Sequence, residues 1–215
     1  MANFLTSLFS RKPATSRDPA FAGHLYPSDP KQLAEKLAPM VNVASSIPDK
    51  PLPERLEALV LPFGELDFIA PTITPALSLL AQPECKQQVE RIVLIAAAQR
   101  IPFRGLALSS VDAWQTPLGY CWCDTEMNTA LAERFPDAVR YLDAAHGPEP
   151  AIEVILPMLQ AIFGAGKKEM PLITPILVGD GATDDLVTVL DAIYGGEGVL
   201  VVLATELAVG VSADD

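Results

Sequence analysis

The sequence predicts an α/β protein: a single three-layer α/β/α domain with a mostly parallel central sheet. Three observations carry this. Four short runs are apolar almost throughout: LEALVLP (56–62), RIVLIAAA (91–98), PLITPILV (171–178) and GVLVVLA (198–204). Strands buried on both faces read this way, because neither face meets water. Stretches of helical period lie between them, and that alternation implies a parallel sheet covered on both sides. The chain has 215 residues, half of them hydrophobic, which is enough for one such core.

Taken in order, residues 1–16 predict a leader without a core pattern, and the domain is expected over 17–215. The opening MANFLTSLFSRK has apolar residues at 4, 5, 8 and 9 but lacks a basic start and an Ala-x-Ala site, so it is a poor secretion signal. It reads as a loosely held terminus or as a short amphipathic helix that docks on a partner. YPSDPKQLAEKLAPM then opens a helix, with Ser28 or Asp29 as cap, Pro30 in its first turn and Leu33, Leu37 and Met40 on one face. The Pro/Ser-rich residues 42–55 predict a surface loop. Further helices are expected near 71–82, 124–134, 149–163 and 183–194. In residues 104–123, RGLALSS and GYCWC read as the two arms of a hairpin-like excursion.

Charge narrows the function. Fifteen basic against 27 acidic residues give a formal charge of −12. Such a chain repels phosphate backbones and anionic headgroups, so nucleic acid is not expected as a partner. No run is long enough for a membrane span. Three cysteines, Cys85, Cys121 and Cys123, suggest no disulfide framework, and the cytoplasm is the expected location.

Few residues can carry chemistry. The two histidines, His24 and His146, sit in unrelated segments and read as surface or hydrogen-bonded structural residues rather than as a shared metal site. Cys121 and Cys123, two apart in a strand, point the same way and read as core-facing. FGAGKKE (163–169) lacks P-loop spacing and reads as a helix end. In VGDGATDDL, Asp180, Asp184 and Asp185 could hold Mg²⁺. The same residues also suit a turn and a helix start, with Thr183 as cap.

Several stretches carry a resemblance. FAGHLYPSDPKQL is similar to the opening pattern of the Memo-like proteins, Ala-Gly-x-x-Tyr-Pro-x-Asp-x-x-x-Leu. RIPFRGLALSSVDAWQTPLG resembles that family's longest motif. DAAHGPEPAIEVILPMLQ resembles its Asp-x-x-His-x-x-Glu-His-Ser-Leu-Glu-Val-x-Leu-Pro segment, and ITPILVGD the strand and turn that follow. The chain is therefore identified as a member of the Memo-like family, which is related to the extradiol dioxygenases that use non-haem iron. The resemblance implies one α/β domain, with relatives that extend beyond the position matching Asp215.

The departures from the family pattern set the functional expectation. Phe63, Gln99, Pro150 and Val209 stand where the resemblance places histidines, and Glu206 stands at an acidic position. Phenyl, prolyl and isopropyl groups bind no metal. Arg104 and the Pro102–Phe103 turn are read as setting the path of the chain. One expectation is a binding or scaffolding protein without catalysis, metal or cofactor, working with a protein partner or as a homo-oligomer. Its small-molecule ligand, if it has one, is unassigned. The other expectation is an enzyme with a rebuilt polar site drawn from Glu65, Asp67, Arg104, His146, Glu153 and Glu206, since paired carboxylates can do acid–base work or hold a hard cation.

Overall fold

The computed structural model describes residues 12–43, 55–164 and 170–206. Its six-stranded sheet has the order β2 (Ala58–Pro62), β9 (Val199–Thr205), β3 (Arg91–Ala97), β8 (Leu172–Val178), β4 (Leu106–Leu108), β7 (Val139–Tyr141). Every neighbouring pair is parallel except β8 with β4. The four apolar runs are thus four consecutive parallel strands, with β2 at the edge of the sheet.

Alternation within each strand explains the layers. In β3, Ile92, Leu94 and Ala96 point into one core, while Val93 and Ile95 point into the other. The first core is closed by α1 (Pro30–Val43), α2 (Leu66–Leu80) and α6 (Pro150–Gly164); the second by α4 (Thr125–Arg134) and α7 (Thr183–Ile193). This is the expected three-layer α/β/α arrangement. Among the described residues, no helix is long and apolar enough to cross a membrane.

Helix α1 matches its expected signals. Leu33, Leu37 and Met40 are buried, and Asp29 is the cap, its Oδ1 accepting from the Gln32 N–H at 2.8 Å. Replacing Asp29 by alanine is expected to cost about 1 kcal/mol, read as a lower urea midpoint. Helix α2 begins at Leu66, earlier than expected, because Leu66, Ile69, Ile73, Leu77 and Leu80 form one buried stripe that outweighs Pro71 and Pro75 inside it. The N-cap position of α7 is Ala182, which makes no side-chain cap, and the expected cap Thr183 is instead the first helical residue.

Two expectations need correction. The hairpin is formed by β5 (Ala113–Thr116) and β6 (Gly119–Trp122), whereas RGLALSS contributes β4 to the main sheet. Residues 12–16 of the expected leader belong to the fold. There β1 (Ser16–Arg17) pairs with β5, and the Thr15 N–H donates to Asp112 at 2.8 Å; residues 1–11 lie outside the described part. Two one-turn helices, α3 (Pro83–Lys86) and α5 (Asp143–His146), are the other helices among the described residues. The IPFRG turn is clamped where Gly179 and Asp180 donate to the Gly105 and Phe103 carbonyls at 2.9 and 2.7 Å. A side chain at Gly105 would need a positive φ and would meet the Ala138 carbonyl at 2.6 Å, which accounts for glycine there.

Candidate functional site

Parallel strands align their carboxyl ends, and that end is where α/β proteins assemble sites. Here β2, β9 and β3 run side by side, with Pro62 opposite Thr205 and Ala96 opposite Ala204. The residues just beyond them are therefore neighbours. Phe63 follows β2, is 9% exposed, and donates its N–H to the Thr205 carbonyl at 3.2 Å. Glu206 follows β9, and Gln99 lies two residues past β3. The Gln99 Nε2 donates to Glu206 Oε2 at 3.2 Å. The Gln99 backbone N–H donates to Glu149 Oε2 at 2.9 Å, which brings in Pro150 as the first residue of α6. Gln99, Glu149 and Glu206 are thus joined by hydrogen bonds, with Phe63 following β2 and Pro150 adjoining Glu149 in the chain; Val209 lies outside the described residues.

Glu149 was not among the expected site residues. It is 1% exposed, and its Oε1 has no hydrogen-bond partner. In the sequence it falls on the glutamate of the Asp-x-x-His-x-x-Glu segment, between prolines at 148 and 150 and just before an apolar helix.

The other expected polar positions are separated by their partners. Glu65 is exposed at the start of α2, and Asp67 is exposed and paired with Lys36 at 2.5 Å. Arg104 lines a cavity of about 390 Å³ with Gly105, Asp180, Gly181 and Asp185 at the carboxyl end of β8. His24 is exposed in the turn before α1. Cys121 and Cys123 are buried free thiols, as expected, and burial raises both pKa values, that of Cys123 to about 12. Of FGAGKKE, residues 165–169 lie outside the described part, and Gly164 ends α6.

Glu153 and His146 belong to one buried network that fastens the start of the chain to α6. The Glu153 side chain is 0% exposed and accepts four hydrogen bonds. Arg17 Nη1 and the Ala20 N–H donate to Oε2 at 2.6 and 3.1 Å, and the Tyr26 hydroxyl and the Phe21 N–H donate to Oε1 at 2.6 and 2.8 Å. Burial and the neighbouring carboxylate keep the Tyr26 phenol protonated, with its pKa far above the usual value. Arg17 also donates to the His146 carbonyl at 3.1 Å and lies 4.3 Å above the Trp114 ring. His146 is 1% exposed, meets Trp114 edge-on, and has Nε2 3.1 Å from the Ala107 carbonyl. Desolvation lowers its pKa to about 4. Glu153 therefore has its acceptor capacity filled and does not face a ligand. Among the described residues, no three of His, Cys, Asp and Glu gather as a metal-binding group.

A family model described as Memo-like protein matches residues 17–208. A MEMO1 family protein of Methanopyrus kandleri is 29% identical over 160 residues, which are 73% of this chain and 55% of that protein. MEMO1 family proteins of Aquifex aeolicus and Sulfolobus acidocaldarius are 24% and 25% identical over 199 and 201 residues, covering 93% and 88% of this chain. The chain spans 55%, 69% and 68% of the lengths of these three relatives.

Proposed function

The chain belongs to the Memo-like family, and from that premise we propose that it is a non-catalytic binding or scaffolding protein working with a protein partner. The observation that supports this reading is the make-up of the strand ends. A buried phenyl, an amide and a prolyl ring stand at Phe63, Gln99 and Pro150, where the family pattern has histidines. The iron chemistry of the related dioxygenases needs two or three imidazoles with carboxylate help. These residues do not suit that group. Glu206 remains as a donor, but Gln99 holds it. Glu153, the polar residue deepest in α6, is spent on fixing the chain's opening segment.

The experiment is to restore the donors. Phe63→His, Gln99→His and Pro150→His combined should create a Zn²⁺ site, binding at least about tenfold more tightly than the wild type by competition with a chromophoric chelator. Equal affinity in the two proteins would overturn this reading of the strand ends.

A further inference from the structure

The buried carboxylate of Glu149 is the least satisfied group at these strand ends. Its Oε2 is held by the Gln99 N–H at 2.9 Å, and its Oε1 has no donor although the residue is 1% exposed. Among the described residues Glu149 has no ion pair. Arg17 Nη2 reaches only its backbone carbonyl, at 3.4 Å, and the Arg17 guanidinium is engaged by Glu153. Buried polar atoms normally find a partner, and one left without a partner points to a missing donor. Beside it, the Gln99 amide donates to Glu206 Oε2, which leaves the Gln99 carbonyl oxygen and the rest of the Glu206 carboxylate as acceptors on the exposed side.

We propose that this end of the sheet binds a protonated amine, held between Glu149 and Glu206 with Gln99 as the hinge between them. The acceptors decide the ligand class. All are oxygens and two are carboxylates, so the ligand must donate hydrogen bonds and carry positive charge. An ammonium has three donors, which match Glu149 Oε1, Glu206 and the Gln99 amide oxygen. A hard divalent cation wants six or more oxygens, or an octahedral shell, and no group of three carboxylate, thiolate or imidazole residues is gathered among the described residues. The amine enters from the exposed Gln99–Glu206 side and gives Oε1 its missing partner. This names a ligand class for the non-catalytic cleft and rests on that reading.

The test is an NMR titration of the whole chain with ethylammonium chloride at constant ionic strength, following the backbone and side-chain amides of Gln99. Saturable shifts are expected, with ethanol, the neutral analogue, giving none. Glu149→Gln and Glu206→Gln should each weaken binding about tenfold or more. Glu206 is exposed, so its variant keeps the test valid if Glu149→Gln does not fold. Equal responses to ethylammonium and ethanol, or unchanged affinity in Glu206→Gln, would overturn the proposal, as would saturable Mg²⁺ binding at the same amides. Failure to bind amine by a protein free of iron, copper and zinc would overturn this inference alone. Stoichiometric transition metal in the same sample would overturn the non-catalytic reading instead.

Discussion

Replacing Glu153 with alanine is expected to destabilise the protein by about 3–5 kcal/mol, the range for removing one member of a buried ion pair. The magnitude follows from what would be left behind. Arg17, whose side chain is 9% exposed, would keep its positive charge without a carboxylate. The Ala20 and Phe21 N–H groups and the Tyr26 hydroxyl would lose their acceptor in a dry environment. Each stranded donor adds a desolvation cost. Because those donors sit between β1 and α1, the variant should also loosen residues 15–26, seen as faster hydrogen exchange there. Tyr26→Phe removes one donor and leaves the ion pair, so it should cost about 1.5–3 kcal/mol. Urea unfolding of both variants checks the ranking; a loss below about 1 kcal/mol for Glu153→Ala would contradict the network described.

Acid should weaken the fold well before the ordinary carboxylates titrate. His146 is neutral in the folded protein down to about pH 4, whereas in the unfolded chain it protonates near its ordinary value of 6.5. Between those values the unfolded state binds the extra proton, so stability is full above 6.5 and falls as pH is lowered toward 4. The loss approaches ~3 kcal/mol, at up to ~1.4 kcal/mol per pH unit. The physical cause is burial, chiefly, which outweighs the help of the Ala107 carbonyl and the Asp143 carboxylate. At Asp143 burial pushes the carboxyl up, but hydrogen bonds from Ser110 and Ser109 outweigh it and hold the group below its ordinary value, which adds a further loss below that value. Unfolding free energies at pH 7, 6, 5 and 4 for the wild type and for His146→Gln check this. The variant should show a flatter profile over that window, and parallel profiles would contradict the assignment.

The central sheet was readable because burial on both faces leaves an unbroken apolar run, as in RIVLIAAA and GVLVVLA. Elements whose existence depends on a distant partner were not. The strands β1 and β7 span two and three residues and exist because β5 and β4 offer them edges. The start of α2 was hidden by Pro71 and Pro75, whose local cost is overcome by the buried stripe. At the site, Phe63, Gln99, Pro150 and Glu206 are legible only through the resemblance to the family pattern; the ends of β2, β3 and β9 place Phe63, Gln99 and Glu206 at one end of the sheet, whereas Pro150 opens a helix. Glu153 accepts from Arg17, Tyr26 and the Ala20 and Phe21 N–H groups. A single acid in AIEVILPMLQ signals a buried, fully bonded carboxylate, and here it anchors Arg17. Glu149 falls on the glutamate of the quoted family segment, but its proximity to Gln99 is a tertiary fact with no sequence period.

Metal analysis distinguishes a Memo-like fold whose strand ends do not form a metal centre from one that holds a metal there. The native chain should be purified without chelator and without added metal, then measured by plasma mass spectrometry against protein concentration. Iron, copper and zinc are expected well below one atom per chain. One equivalent of any of them, lost on replacing Glu149 or Glu206 with glutamine, would contradict this reading of the strand ends.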